Sequence, residues 1–158
     1  MAHKLDSVDI KILNMLQKDA KMKVKEIAFE LGLTYTPIFD RIKKLENEGY
    51  IESYTVRLNK ALLGYDLTVF CAINLEKHIL EQITQFEEEV LTLDGVSECF
   101  HIAGAYDYLL KIQVRDMNHY QQFLANDLAK VKNISRVQSS FVMKEVVSPK
   151  GVKVETLK

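Results

Sequence analysis

The sequence predicts an α+β chain in two parts: a helical N-terminal part, then a part that alternates strand and helix. Three observations carry this. Apolar residues before position 50 recur at helical spacing, whereas several later runs alternate with period two. Glycines stand where helices should stop, at Gly32 and Gly49. From residue 66 the elements read β-α-β-β-α-β, the split βαβ order, which puts both helices on one face of a four-stranded sheet.

The first helix is expected over residues 5–18. Asp6 can cap it, with Asp9 reaching back in a capping box. Leu5 and Ile10 suit a hydrophobic staple, and Ile10, Ile12, Leu13, Met15 and Leu16 give a wide apolar face. Residues 24–51 are the organising stretch. Val24, Ile27, Ala28 and Leu31 form one face of a second helix, and Gly32 ends it. Thr34 suits the cap of a third helix, and Pro37 falls in its first turn, where the missing N–H costs nothing. Ile38, Ile42 and Leu45 form the buried side, and Gly49 stops the helix. Helix, glycine turn, helix is the helix-turn-helix pattern, although an ordinary helical hairpin reads the same way. Residues 50–58 alternate and predict a strand or wing. The domain boundary is expected near residue 60, giving parts 1–60 and 61–158.

In the second part strands are expected over 66–75, 96–104, 107–114 and 134–146, and helices over 78–93 and 118–131. Leu67, Val69, Cys71, Ile73 and Leu75 share one face of the first strand, yet Phe70 and Ala72 are on the other. A sheet with one wet face should alternate cleanly. Apolar residues on both faces predict that the open face packs against another subunit. The third strand should lie between the first two, so Cys71 and Cys99 are expected not to pair but to serve as small buried hydrophobes.

Composition sets bounds. The 158 residues are 47% hydrophobic and 27% charged, a globular balance. No apolar run approaches the ~20 residues of a membrane span, and the N-terminus lacks the apolar core of a secretion signal. A cytoplasmic protein is expected. The cysteines and scattered histidines offer no metal-ligand spacing, and no catalytic grouping or phosphate loop is readable. No catalytic residues, metal or cofactor are therefore expected. Net charge is −1, so a nucleic-acid binder of this kind must concentrate positive charge locally or present several weak copies of one site. Residues 1–60 carry eleven Lys/Arg and nine Asp/Glu, a balance of +2, against −3 for the remainder.

Two groups of residues are candidates for function. The third helix is the candidate recognition helix. Thr36 and Asp40, flanked by Tyr35, are expected at base edges in the groove, and Arg41, Lys43 and Lys44 mainly at phosphates. Asp40 is repelled by phosphates but can accept from a cytosine amine or pair with a nearby lysine. Lys43 and Lys44 also read as a solvated helix face. The second group is GAYDY, residues 104–108. Gly104 permits close approach, and Asp107 between Tyr106 and Tyr108 is a plausible receptor for an ammonium group. The same residues also make an ordinary hairpin turn.

LDSVDIKILNMLQKDAK, ELGLTYTPIFDRIKKLENEGYIESYTVRLN, GAYDYLLKIQVRD and SSFVMKEV, in this order and spacing, resemble the Lrp/AsnC (feast/famine) transcriptional regulators over nearly the whole chain. The resemblance implies an N-terminal winged helix-turn-helix and a C-terminal ferredoxin-like βαββαβ domain of the RAM, ACT-like type. It implies double-stranded DNA as partner, homodimers formed through the sheets, and higher oligomers such as octamers. It also implies a free amino acid as effector, bound between dimers beside Gly104, Asp107 and Tyr108, with Ser139 supplying a hydroxyl on the last strand. Thr34 stands at the family's cap serine, and Arg41 at its arginine. Ala103 and Val137 replace hydroxyl residues. The expected function is a sequence-specific, amino-acid-responsive regulator. The alternatives are an effector-independent architectural protein that wraps DNA, and a small-molecule-binding or catalytic ferredoxin-like protein that uses the hairpin as a partner surface.

Overall fold

The structure, a computed structural model, describes residues 4–146 and 151–155. It separates into two compact units. One comprises residues up to 57 with 151–155, and the other residues 58–146.

The first unit is a three-helix headpiece. Helix α1 spans Ser7–Lys18, α2 Val24–Leu31 and α3 Tyr35–Asn47. The capping box of α1 forms: the Asp6 carboxylate accepts from the Val8 and Asp9 N–H groups, and Asp9 accepts from the Asp6 N–H. Gly32 ends α2 with φ of 66°, a conformation that a side chain disfavours. The core is Ile12, Leu13, Ile27, Ala28, Ile38, Ile42 and Leu45. Ile10 lies outside it, because the inward face of α1 centres on Ile12 and Leu13 and also buries the carboxylate of Asp9. Thr34 holds the cap position of α3 in an extended conformation but makes no side-chain cap bond.

One expected element is absent. Among the described residues no strand forms over 50–58; the chain there has no regular secondary structure and is mostly exposed, with no ladder partner. A strand needs a neighbour for its N–H and C=O groups, and alternation alone does not supply one.

The second unit opens with a single 3₁₀ turn, Ala61–Leu63. Strand β1 is Leu67–Leu75, α4 Leu80–Leu91, β2 Val96–His101, β3 Tyr108–Val114 and β4 Ile134–Phe141. The expected last helix is shorter. Helix α5 covers Met117–Gln122, loosens into a wide turn over Phe123–Asp127, and ends in a 3₁₀ turn, Leu128–Lys130. The sheet is antiparallel in the order β2-β3-β1-β4. Its covered face holds Val69, Cys71, Ile73, Leu110, Ile112 and Val114, packed with Phe86, Val90, Tyr120 and Phe123 from the helices. Ile79 holds the cap position of α4 and is exposed.

The other face carries Phe70, Ala72, Leu109 and Phe100, with Ala72 opposite Leu109 and Leu109 opposite Phe100. Phe100 is exposed. A Lys111–Glu98 pair at 2.5 Å borders this apolar row. Cys71 is buried, but Cys99 is exposed, contrary to the sequence expectation: β2 is an edge strand with little packed over it.

Candidate DNA-binding and effector sites

In the headpiece, α3 buries Ile38, Ile42 and Leu45 and turns its other side outward. Thr34, Tyr35, Thr36, Asp40, Lys43 and Lys44 are all exposed. Tyr35 stacks with Phe39 at 5.9 Å between ring centroids. This pair forms an aromatic ridge along the first turns. Lys43 pairs with Glu46 at 2.7 Å and lies 6.0 Å above the Phe39 ring. Glu46 also accepts from the Tyr54 hydroxyl, which ties the segment after α3 back to that helix. The burial of Tyr54, more than that bond, raises its pKa to about 12.

Arg41 is engaged within the headpiece. It was expected mainly at phosphates. In the structure its guanidinium donates to Asp6 at 2.6 Å and to Asp9 at 2.7 Å. The Asp9 side chain is only 3% exposed, and a carboxylate so buried needs a partner. Arg41 is therefore engaged in locking α3 onto α1. Hydrogen bonding to Asp9, then to Asp6, raises the pKa of Arg41. The Asp9 N–H, with help from Arg41, lowers that of Asp6 to about 2. The outward cations of α3 are Lys43 and Lys44, of which Lys43 is shared with Glu46.

The connection between β2 and β3 holds the second group. The Ile102 N–H donates to the Asp107 carbonyl and the Asp107 N–H to the Ile73 carbonyl. The Asn74 side chain donates to the Ala105 carbonyl. These bonds fasten the connection to the end of β1. Gly104, at φ of 146°, turns in a conformation closed to most residues, with open space where a Cβ would stand. The Asp107 carboxylate accepts from the Leu75 N–H at 2.8 Å and faces His78 Nε2 at 3.0 Å. The Leu75 bond is the main cause of its lowered pKa, and His78 adds to it. Tyr106 reaches across to Gln138 on β4.

The five expected effector residues do not form one cluster. Gly104, Tyr106 and Asp107 sit on the connection. Tyr108 points to the helix-covered side, where its ring packs on Phe86 and His101 and its hydroxyl donates to Glu87 at 2.6 Å. Ser139 also faces that side and shares a 2.5 Å hydrogen bond with the Tyr120 hydroxyl. His78, Asn74 and Gln138 were not singled out from sequence. Each meets its partner through strand register across 29 or more positions, and no local motif announces register. No cluster of His, Cys, Asp and Glu able to hold a metal occurs among the described residues. No described helix is long and apolar enough to cross a membrane.

Comparison with known proteins agrees with this architecture. Residues 5–52 match the family model described as winged helix-turn-helix DNA-binding, and residues 68–152 that of the Lrp/AsnC ligand binding domain. The chain is 35% identical to the Bkd operon transcriptional regulator of Pseudomonas aeruginosa, over 90% of this chain and 94% of that one. It is 35% identical to the leucine-responsive regulatory protein of Escherichia coli, over 96% and 93%. Among solved structures, an AsnC family transcriptional regulator from Agrobacterium tumefaciens superposes with a TM-score of 0.88 at 32% identity, covering 94% of this chain and 96% of that one. A transcriptional regulator from Neisseria meningitidis, solved as a complex with L-Met, superposes at 0.87 and 30%, covering 91% and 93%. A winged helix-turn-helix headpiece, a ligand-binding βαββαβ unit and whole-length likeness at this identity lead to one assignment: the chain belongs to the Lrp/AsnC family of DNA-binding transcriptional regulators.

Proposed function

We infer that the chain is an amino-acid-responsive regulator that binds double-stranded DNA as a homo-oligomer in the cytoplasm, and that it is not an enzyme. The observation that carries this reading is the pairing of two features. One is a headpiece whose α3 presents Thr36, Asp40, Lys43 and Lys44 outward. The other is a sheet unit whose second face leaves an apolar row uncovered. Thr34, Tyr35, Thr36 and Asp40 meet the groove in this reading, and Lys43 and Lys44 the phosphates. Phe70, Ala72, Leu109 and Phe100 meet their counterparts in a second subunit. Dimers then assemble further, to a size such as an octamer. Each head grips weakly, and tethering makes later contacts intramolecular, which offsets the near-neutral net charge.

A free amino acid is the effector in this reading, in keeping with the leucine-responsive and L-Met-bound relatives. Its ammonium meets Asp107, near Gly104 and Tyr106, while Tyr108 and Ser139 support the site from the covered side. The effector acts by binding one arrangement of subunits more tightly than another. A thermal-shift screen of the twenty amino acids, repeated on Asp107→Ala, tests it. A stabilising amino acid whose effect survives that change removes Asp107 from the pocket. A gel-shift titration on the chain's own promoter region tests the DNA reading. No shift at low salt, or binding indifferent to Lys44→Ala, sinks it.

One observation favours the rival reading, an architectural protein that needs no effector. The Asp107 carboxylate already has partners in Leu75 and His78. An incoming ammonium must displace His78. Indifference of DNA binding, assembly and thermal stability to all twenty amino acids would decide for the rival.

A further inference from the structure

The end of the chain lies on the headpiece. Asn14, on α1, treats Val154 as a strand neighbour would. Its side-chain amide donates to the Val154 carbonyl at 3.1 Å, and its side-chain oxygen accepts from the Val154 N–H at 3.4 Å. One side chain thus satisfies both backbone groups of one residue, as a ladder partner does. The Val154 side chain packs against the headpiece core. Val152, Lys153 and Glu155 are exposed, so Val154 is the residue of this segment that turns inward. Three residues along α1 from Asn14, the Gln17 side chain closes over Gly151, where an added Cβ would lie 1.8 Å from its Oε1. Asn14 and Gln17 stand on one ridge of the helix. A backbone clamp, an inserted valine and a close glycine contact are three separate fittings between this ridge and one segment.

We propose that the α1 ridge formed by Asn14 and Gln17 is a docking surface for the chain's own residues 151–155, and that the docked segment is a strap that restrains the headpiece. The headpiece is joined to the second unit by the exposed run after Ile51. That run has no ladder of its own to stiffen it. The strap gives a second tie, because residues 151–155 follow β4 in the chain. β4 carries Gln138, the partner of Tyr106 beside Gly104. The strap leaves Thr36, Asp40 and Lys44 exposed, so it restrains the headpiece without covering the face assigned to DNA. Two ties allow far less turning than one, and the reach of a head within an assembly narrows accordingly.

The test needs no DNA and no effector, so it stands apart from the proposed function. Hydrogen exchange of the full-length protein is compared with Val154→Asp, a truncation after residue 150, and Asn14→Asp, which keeps the acceptor and loses the donor. The two tail variants alter none of the buried residues of the headpiece core. Protection across Asn14–Lys18 should fall severalfold in all three, and Val154→Asp should add nothing to Asn14→Asp. Time-resolved anisotropy of a dye at Glu30→Cys, in a Cys99→Ser background, should show slow tumbling with the particle. Val154→Asp should add a fast component. Unchanged protection in both tail variants overturns the docking. A fast component already present without them overturns the restraint.

Discussion

Arg41→Met is the substitution that separates the structural reading of α3 from the sequence reading. If Arg41 holds a phosphate, its loss weakens DNA binding and leaves stability alone. If it locks α3 onto α1, its loss destabilises the head. The magnitude follows from the burial of Asp9, whose side chain is 3% exposed. Removing one partner of a buried ion pair costs about 3–5 kcal/mol, because the other charge is stranded. Two facts reduce this. The Arg41 side chain is 33% exposed, so water can enter where it stood. Asp9 also keeps the Asp6 N–H. A loss of about 2 kcal/mol is expected, which is a large share of the stability of a small unit. For a headpiece of this size that lowers its melting temperature by roughly 10 °C. The assay is thermal and urea unfolding of the full-length protein, followed by circular dichroism at 222 nm, where the helical headpiece contributes strongly. A loss below about 0.5 kcal/mol, with DNA affinity down tenfold or more, refutes the reasoning and returns Arg41 to the phosphates.

Other outcomes follow from the same geometry. Asp6 has its folded pKa depressed to about 2, so its contribution is fully present above the unfolded value. It is lost as pH falls from about 4 toward 2, and acid titration of headpiece unfolding should show that loss. Since the Asp6 side chain is 46% exposed, the pH effect should stay within about 1 kcal/mol. Thiol labelling of the native protein should modify Cys99 alone, with Cys71 reacting only on unfolding. Tyr108→Phe should cost about 1 kcal/mol in urea unfolding of the sheet unit, the worth of its bond to Glu87.

Much of this architecture is legible in the sequence because its signals are local. The α1 capping box spans four residues, Gly32 marks its own turn, and the expected bounds of β1 and β3 fall within one residue of those observed, whereas β2 and β4 end earlier than expected. What is not legible depends on partners far away in the chain. Asp9 reads as a cap residue, and nothing near it says that Arg41, 32 positions on, will meet it. The 50–58 run has strand composition but forms no ladder among the described residues. No proline or glycine warns that the last helix loosens at Phe123. In the effector region the Gly104–Asp107 connection is legible as a turn, whereas the side to which Tyr108 and Ser139 point follows from register. The same limit hides His78, which reaches Asp107 only because β1 ends beside β3.

The two oxygens of Asp6 divide their work. Oδ1 takes the N–H groups that start α1, and Oδ2 takes Arg41 from α3. This has a consequence for the chain during synthesis. When α1 emerges from the ribosome, its first turn can form, but the guanidinium that joins it to α3 is still missing. Arg41 follows more than thirty residues later. The tie between α1 and α3 therefore closes only once position 41 is out, and a nascent chain stalled before that point should hold α1 less firmly than the finished headpiece does.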